Sequence, residues 1–281
     1  MNWIVKLQSV DRRIIYLLLF LCTIVPLLWP IGIPLQVSPM TRAVYDIIEG
    51  LDPAKDVVLL SFDYSPGAGL DAHAVPVVIA EHLNQRGIKW VAVSFVPEGP
   101  MMADMIIDGL EARGMKYGID FANLGYMAGE ENAIRLFALD CLTIATDSRG
   151  NKTADLPIMQ GIKTVKDFAF VHGFTSSDLG ITGWIRQVVD PMGINYAVGV
   201  VTVSVPAAIP YYNSGQLKGL LGGLRASAEY ELLINKPGKG AAMMDAQSIG
   251  HLLIIGFIVV GNVAYLLGKK KDATTTAKMR R

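Results

Sequence analysis

The sequence predicts an α/β domain with a mainly parallel, doubly wound (Rossmann-like) sheet, flanked by N- and C-terminal transmembrane helices. Three observations carry this. Apolar runs of strand length alternate with segments of helical period, and no tight Asn-Gly hairpin joins them. The run at 57–62 is continuously apolar rather than alternating, as in a strand covered on both faces. Near the end of the chain, residues 249–267 hold no Asp, Glu, Lys or Arg, and ~20 apolar residues suffice to cross a ~30 Å hydrocarbon core.

Taken in order, residues 1–13 form a short basic cytoplasmic N-terminus with Lys6, Arg12 and Arg13. Residues 14–35 are an apolar anchor. Pro26, Pro30 and Pro34 recur every four residues, so the helix is expected to kink at Pro26 and fray near Pro30, with Trp29 at the interface. A cleaved signal peptide is the rival reading, but no Ala-x-Ala-like site follows. Residues 41–50 show a short helical pattern. Strands are expected at 57–62, 88–95, 121–126, 167–171 and 195–204. Helices are expected at 72–86, closed by Gly87, at 101–113, 130–142 and 179–189, and at 216–234. Residues 146–156 are polar and irregular, and 236–240 link the domain to the last span. The domains expected are therefore 36–247 for the α/β unit, 248–268 for the second transmembrane helix and 269–281 for a basic tail with Lys269, Lys270 and Lys271.

The charges set orientation. The chain has 25 basic and 25 acidic residues, but nine of the basic and only two of the acidic ones lie in the terminal segments 1–13 and 268–281. Basic flanks mark the cytoplasmic side of both spans. The expected protein is thus a two-pass plasma (cell inner) membrane protein, with both termini cytoplasmic and the main domain extracytoplasmic. Its acidic middle excludes nucleic acid as a partner of the folded part. A mean hydropathy of +0.39 fits one folded domain with one or two spans. The two cysteines, Cys22 and Cys141, offer neither a disulfide framework nor a paired-cysteine metal site.

In parallel sheets ligands bind beyond the carboxyl ends of the strands, here loops 63–69, 97–100, 172–178 and 206–214. The candidate ligand-binding residues are Asp63, Tyr64, Ser65, His172, Ser176, Ser177, Asp178 and Asn213. Residues 67–72 match the dinucleotide pattern of spaced glycines, but Asp63 to Pro66 intervene and no acid closes the second strand. No cofactor is expected. No His-x-x-x-His or Glu-x-x-His pair points to a metal among Asp63, Asp71, His73, His82 and His172. No Gly-x-Ser-x-Gly marks a nucleophile, so catalytic residues are not assigned. The strand–loop–helix repetition is similar to that of periplasmic sugar-binding and nucleotide-binding folds alike, an analogy of fold alone.

Gly219, Gly222 and Gly223 in the expected helix, and Gly256 and Asn262 in the last span, read as interface positions, since small residues let helices approach and an amide in hydrocarbon seeks a partner. The partners expected are the lipid bilayer and either further copies of the chain or other membrane subunits. The functional expectation is a membrane-anchored binding or assembly subunit. A membrane-tethered hydrolase and a receptor-like small-molecule binder are the alternatives.

Overall fold

The computed structural model describes residues 11–29, 31–33 and 35–279, with side chains through Leu266. Residues 1–10, Pro30, Pro34, Arg280 and Arg281 lie outside the described residues, as do the side chains of Lys269, Lys270, Lys271 and Lys278. The chain divides into two units, residues 35–240 and residues 1–34 with 241–281.

The larger unit is a six-stranded parallel sheet: β1 (Val57–Asp63), β2 (Lys89–Ser94), β3 (Phe121–Tyr126), β4 (Phe170–Thr175), β5 (Tyr196–Val200) and β6 (Gly219–Gly222), in the order β3-β2-β1-β4-β5-β6. This is the order of the doubly wound Rossmann fold. It arises because the apolar runs need cover on both faces. On one face α2 (Pro39–Glu49), α3 (Gly69–Arg86), α4 (Gly99–Glu111) and α7 (Gly223–Leu233) close over Val58, Leu60, Phe62, Phe170 and Phe174. On the other, α5 (Glu130–Leu139), residues 141–168, a helical run through 182–192 and α6 (Val205–Asn213) close over Leu59, Val91, Val171 and Val198.

Local signals set the ends. Ser38 caps α2, its Oγ accepting the Thr41 N–H at 3.2 Å, with Pro39 in the first turn. Gly87 closes α3 in the left-handed conformation, φ 68°. Gly99 brings α4 against β1 so closely that a Cβ there would lie 2.0 Å from the Phe62 carbonyl oxygen.

Three expected elements fall elsewhere. β4 begins at Phe170 rather than Asp167, because Asp167 is spent in a capping box with Thr164, and the strand then runs on through His172 to Thr175. β5 stops at Val200, and residues 205–213 wind into α6 with Pro206 in its first turn. The expected helix 216–234 is divided, Gly219–Gly222 forming the edge strand β6. Glycine is a poor helix former, and here backbone closeness is needed: a Cβ at Gly219 would meet Val44 at 2.2 Å, and one at Gly222 would meet Val205 at 2.5 Å.

The smaller unit holds α1 (Arg12–Leu28) and residues 241–279 of α8 (Lys239–Met279). Within Lys239–Leu266, the most apolar 18-residue window of α8 has a mean hydropathy of 2.1 and is mostly exposed; among the described residues α8 is the one helix long and apolar enough to cross a membrane. After Arg12 and Arg13, the 17-residue α1 is almost wholly apolar and takes Pro26 inside, but the helix ends at Leu28, before Pro30. Its rise of about 26 Å falls short of a ~30 Å core, so a full first span over 14–35 is not seen as continuous helix. The buried Asp245 carboxylate gathers three consecutive N–H groups: Oδ2 accepts from Ile31 and Gly32 at 2.8 Å, and Oδ1 from Ile33 at 3.0 Å.

Candidate functional site

The strand order reverses direction between β1 and β4. The helix after β1 goes to one face and the run after β4 to the other, so the loops diverge and leave a crevice at the carboxyl edge. Asp63 and Thr175 are register partners at its floor. Tyr64 and Ser65 leave β1, while Ser176, Ser177 and Asp178 leave β4. Six of the eight expected residues thus lie at the carboxyl ends of the adjacent strands β1 and β4.

The two others lie apart. His172 sits three residues before the end of β4, wholly buried between Leu60 and Ala197 of the adjoining strands, with the Phe174 ring centroid 4.7 Å away. It lies in the strand rather than in the expected loop 172–178, because β4 starts at Phe170 and runs on to Thr175. Neither ring nitrogen has a hydrogen-bond partner among the described residues, and burial pushes its pKa down to about 3, so the ring is neutral at pH 7. Asn213 ends α6, which runs from the carboxyl end of β5 back to the start of β6, and so lies at the opposite edge of the sheet.

At the crevice the groups differ in availability. Asp63 is only 1% exposed. Its Oδ2 accepts from Ser61 Oγ at 2.6 Å and Trp184 Nε1 at 3.3 Å, and its Oδ1 from the Phe95 N–H at 2.8 Å. Burial raises its pKa to about 6, against the pull of those donors. It therefore pins strand ends and Trp184 rather than facing a ligand. Thr175 Oγ1 is likewise spent on Ser177, accepting its N–H at 3.0 Å and donating to its carbonyl oxygen at 2.9 Å. Ser176, Ser177 and Asp178 are exposed.

One further residue belongs here. His73, in the second turn of α3, has Nδ1 2.7 Å from the Tyr64 hydroxyl. Tyr64 is buried, which raises its pKa and keeps the phenol protonated; burial, then the charge of Lys239, lowers that of His73. The Tyr64 phenol thus fixes one imidazole nitrogen beside the loop after β1. The nine-residue spacing between the two has no sequence signature, because the loop and first helical turn between them set it.

The glycine pattern at 67–72 does not build a phosphate cradle. Asp71 puts a carboxylate in the first turn of α3, where it accepts from Thr202 N at 2.6 Å, Thr202 Oγ1 at 2.8 Å and Leu224 N at 3.1 Å. The second strand ends at Ser94, whose hydroxyl is turned inward to the Phe62 and Val96 carbonyl oxygens. His82 lies buried between the Tyr230 hydroxyl, 2.8 Å from Nδ1, and Glu49 Oε1, 2.9 Å from Nε2, and ties three helices together. Among the described residues no group of three His, Cys, Asp or Glu is placed to hold a metal ion.

Of the interface positions, Gly219, Gly222 and Gly223 are accounted for inside the α/β unit. A Cβ at Gly223, where φ is +54°, would meet Asp71 Oδ1 and Thr202 Oγ1 at 2.1 Å. In α8, Gly256 has open space beside it, and Asn262 Nδ2 donates to the Ile258 carbonyl oxygen at 2.9 Å, one turn back on its own helix. Leu19, Thr23 and Leu27 of α1 form a shallow apolar groove with Met243, Gln247 and His251 of α8. Comparison with protein-family models, with curated proteins and with solved structures returns no match, so the reading of the site rests on its own geometry.

Proposed function

We propose that the chain is a membrane-tethered α/β binding or assembly subunit, held in the bilayer by α8, with both termini cytoplasmic and residues 36–247 outside. The observation that carries this is the stretch Lys239–Leu266, which presents Leu252, Ile255, Ile258, Val259, Val263 and Leu266 outward along an apolar helix. Exposed apolar area of that length favours lipid or another apolar helix over water. In this reading α1 is the second crossing, completed by the residues that follow Leu28.

The test is accessibility labelling in cells with Gly150→Cys and Lys278→Cys. Gly150→Cys is expected to react with an impermeant maleimide from outside, and Lys278→Cys only after permeabilisation. Labelling of Lys278→Cys in intact cells refutes the orientation. Release of the wild type from membranes by alkaline carbonate refutes the tether.

A second reading, a receptor-like small-molecule binder, is supported by the strand-order reversal, at whose carboxyl edge lie Tyr64, hydrogen-bonded to His73, and the loop residues Ser65 and 176–178. The hydrolase alternative gains no support there. Among the described residues no histidine is hydrogen-bonded to Ser65, Ser176 or Ser177.

A further inference from the structure

Helix α7 touches three places that matter to the α/β unit. At its start, Leu224 N–H reaches Asp71 Oδ1, the same carboxylate that holds Thr202 at the end of β5. Gly223 allows this closeness because it carries no side chain. One turn on, Ser227 Oγ donates to the Ala74 carbonyl oxygen of α3 at 3.1 Å.

Its far end carries two buried carboxylates, Glu229 and Glu231, 2% and 6% exposed. Two residues apart on a helix, they point to different sides. Glu229 Oε2 accepts from Ser38 N at 2.9 Å and Thr41 Oγ1 at 2.8 Å, which fixes the segment by which the chain enters the unit. Glu231 Oε2 accepts from Gly238 N at 3.0 Å, and Oε1 from Gly240 N at 2.9 Å, which fixes the segment by which it leaves. Both approaches are close: a Cβ at residue 238 would lie 2.7 Å from Glu231 Oε1, and one at residue 240 would lie 2.9 Å from both Glu231 Oε1 and the Ala228 backbone nitrogen. Lys236 Nζ adds an ion pair to Glu81 of α3. The Pro-Gly-Lys-Gly stretch, expected to link the domain to the last span, is therefore a fixed strap.

We propose that α7 is a coupling helix: it links the carboxyl edge of the sheet, through Asp71, to both the entry and the exit of the α/β unit, through Glu229 and Glu231. A rigid helix bonded at both ends passes a displacement of one end to the other, and buried charge-assisted hydrogen bonds leave little slack.

The experiment is amide hydrogen exchange, read by mass spectrometry on the full chain in detergent micelles. Glu231→Ala is expected to speed exchange at 236–240 at least tenfold and leave 35–41 unchanged. Glu229→Ala should do the reverse. Asp71→Ala, at the far end of α7, should speed exchange at 222–226 and, at least threefold, at 236–240 and 35–41, with β1 and β4 still protected. If Asp71→Ala unprotects β1 and β4 as well, the milder Thr202→Val, which removes one hydroxyl contact, decides in its place. Faster exchange at 222–226 with both segments at the wild-type rate would overturn the coupling. Unchanged exchange at 236–240 in Glu231→Ala would overturn the strap.

Discussion

Replacing His172 with leucine should stabilise the protein and change the shape of its pH dependence. At neutral pH the gain comes from removing two unpartnered ring nitrogens from a wholly buried site, worth about 1–3 kcal/mol. The pH response follows from two buried groups of opposite sign. His172 titrates at about 3 when folded and near ~6.5 when unfolded, so as pH falls below ~6.5 the unfolded chain takes up a proton that the folded one refuses. Stability is lost at ~1.4 kcal/mol per pH unit. Asp63 titrates at about 6 when folded and near ~3.9 when unfolded, so between those values the folded state holds the extra proton and stability is gained at the same rate as pH falls. The two slopes cancel between about pH 6 and pH 4 in the wild type. Removing His172 takes its loss out of the balance, so from pH 6 to pH 5 His172→Leu should gain about 1.2 kcal/mol relative to wild type, the depressed His73 and His82 being common to both proteins. Asp63→Asn should show the mirror image, a fall of similar size, on top of whatever its lost hydrogen bonds cost. The assay is denaturant unfolding at each pH, followed by the fluorescence of the buried Trp90 and Trp184. A His172→Leu protein less stable than wild type at pH 7, or one with the wild-type slope between pH 5 and 6, would refute this reasoning.

Other substitutions test single joints. Gly223→Ala drives a methyl group against Asp71 and Thr202 at a left-handed φ, and should cost about 2–3 kcal/mol in the same unfolding assay. Ser38→Ala removes the cap of α2 and should cost about 1 kcal/mol. Asn262→Leu combined with Gly256→Leu tests association through α8: loss of crosslinked partners and a smaller native mass in mild detergent are expected, while a monomeric wild type would end the assembly reading. The amide contributes ~1 kcal/mol or less to that, since it is already bonded to its own helix.

The parallel sheet was most legible where a strand is an unbroken apolar run. Residues 57–62 are such a run, and β1 lies there; residues 121–126, broken by Asn123 and Gly125, carry a weaker signal, and β3 lies there. Strand ends were harder to read. Val-His-Gly-Phe-Thr looks like a loop by its glycine and histidine, yet Gly173 is in the strand because the Tyr196 hydroxyl packs where its side chain would be. β6 was hidden for the same reason: four residues with two glycines carry no strand signal until Val44 and Val205 are placed against them. The carboxyl-edge loops after β1 and β4 could be named from strand order alone, and six of the eight residues are there. His73 could not, since its place depends on how the loop after β1 turns into α3. Glu229 and Glu231 carry no sequence signal of their own, and their burial depends on the segments 38–41 and 238–240 that pack back onto them.

The Asp245 contact carries a consequence for biosynthesis. The carboxylate that takes the amides of Ile31, Gly32 and Ile33 is made more than two hundred residues later. At ~5–20 residues per second, the ribosome needs roughly 10–40 s to reach it. During that interval the segment after α1 has emerged without its anchor, while β1, β2 and β3 are already complete and free to pair. The α/β unit can thus begin to assemble from its N-terminal half, whereas the joining of residues 31–33 to the last helix is held back to the closing moments of translation.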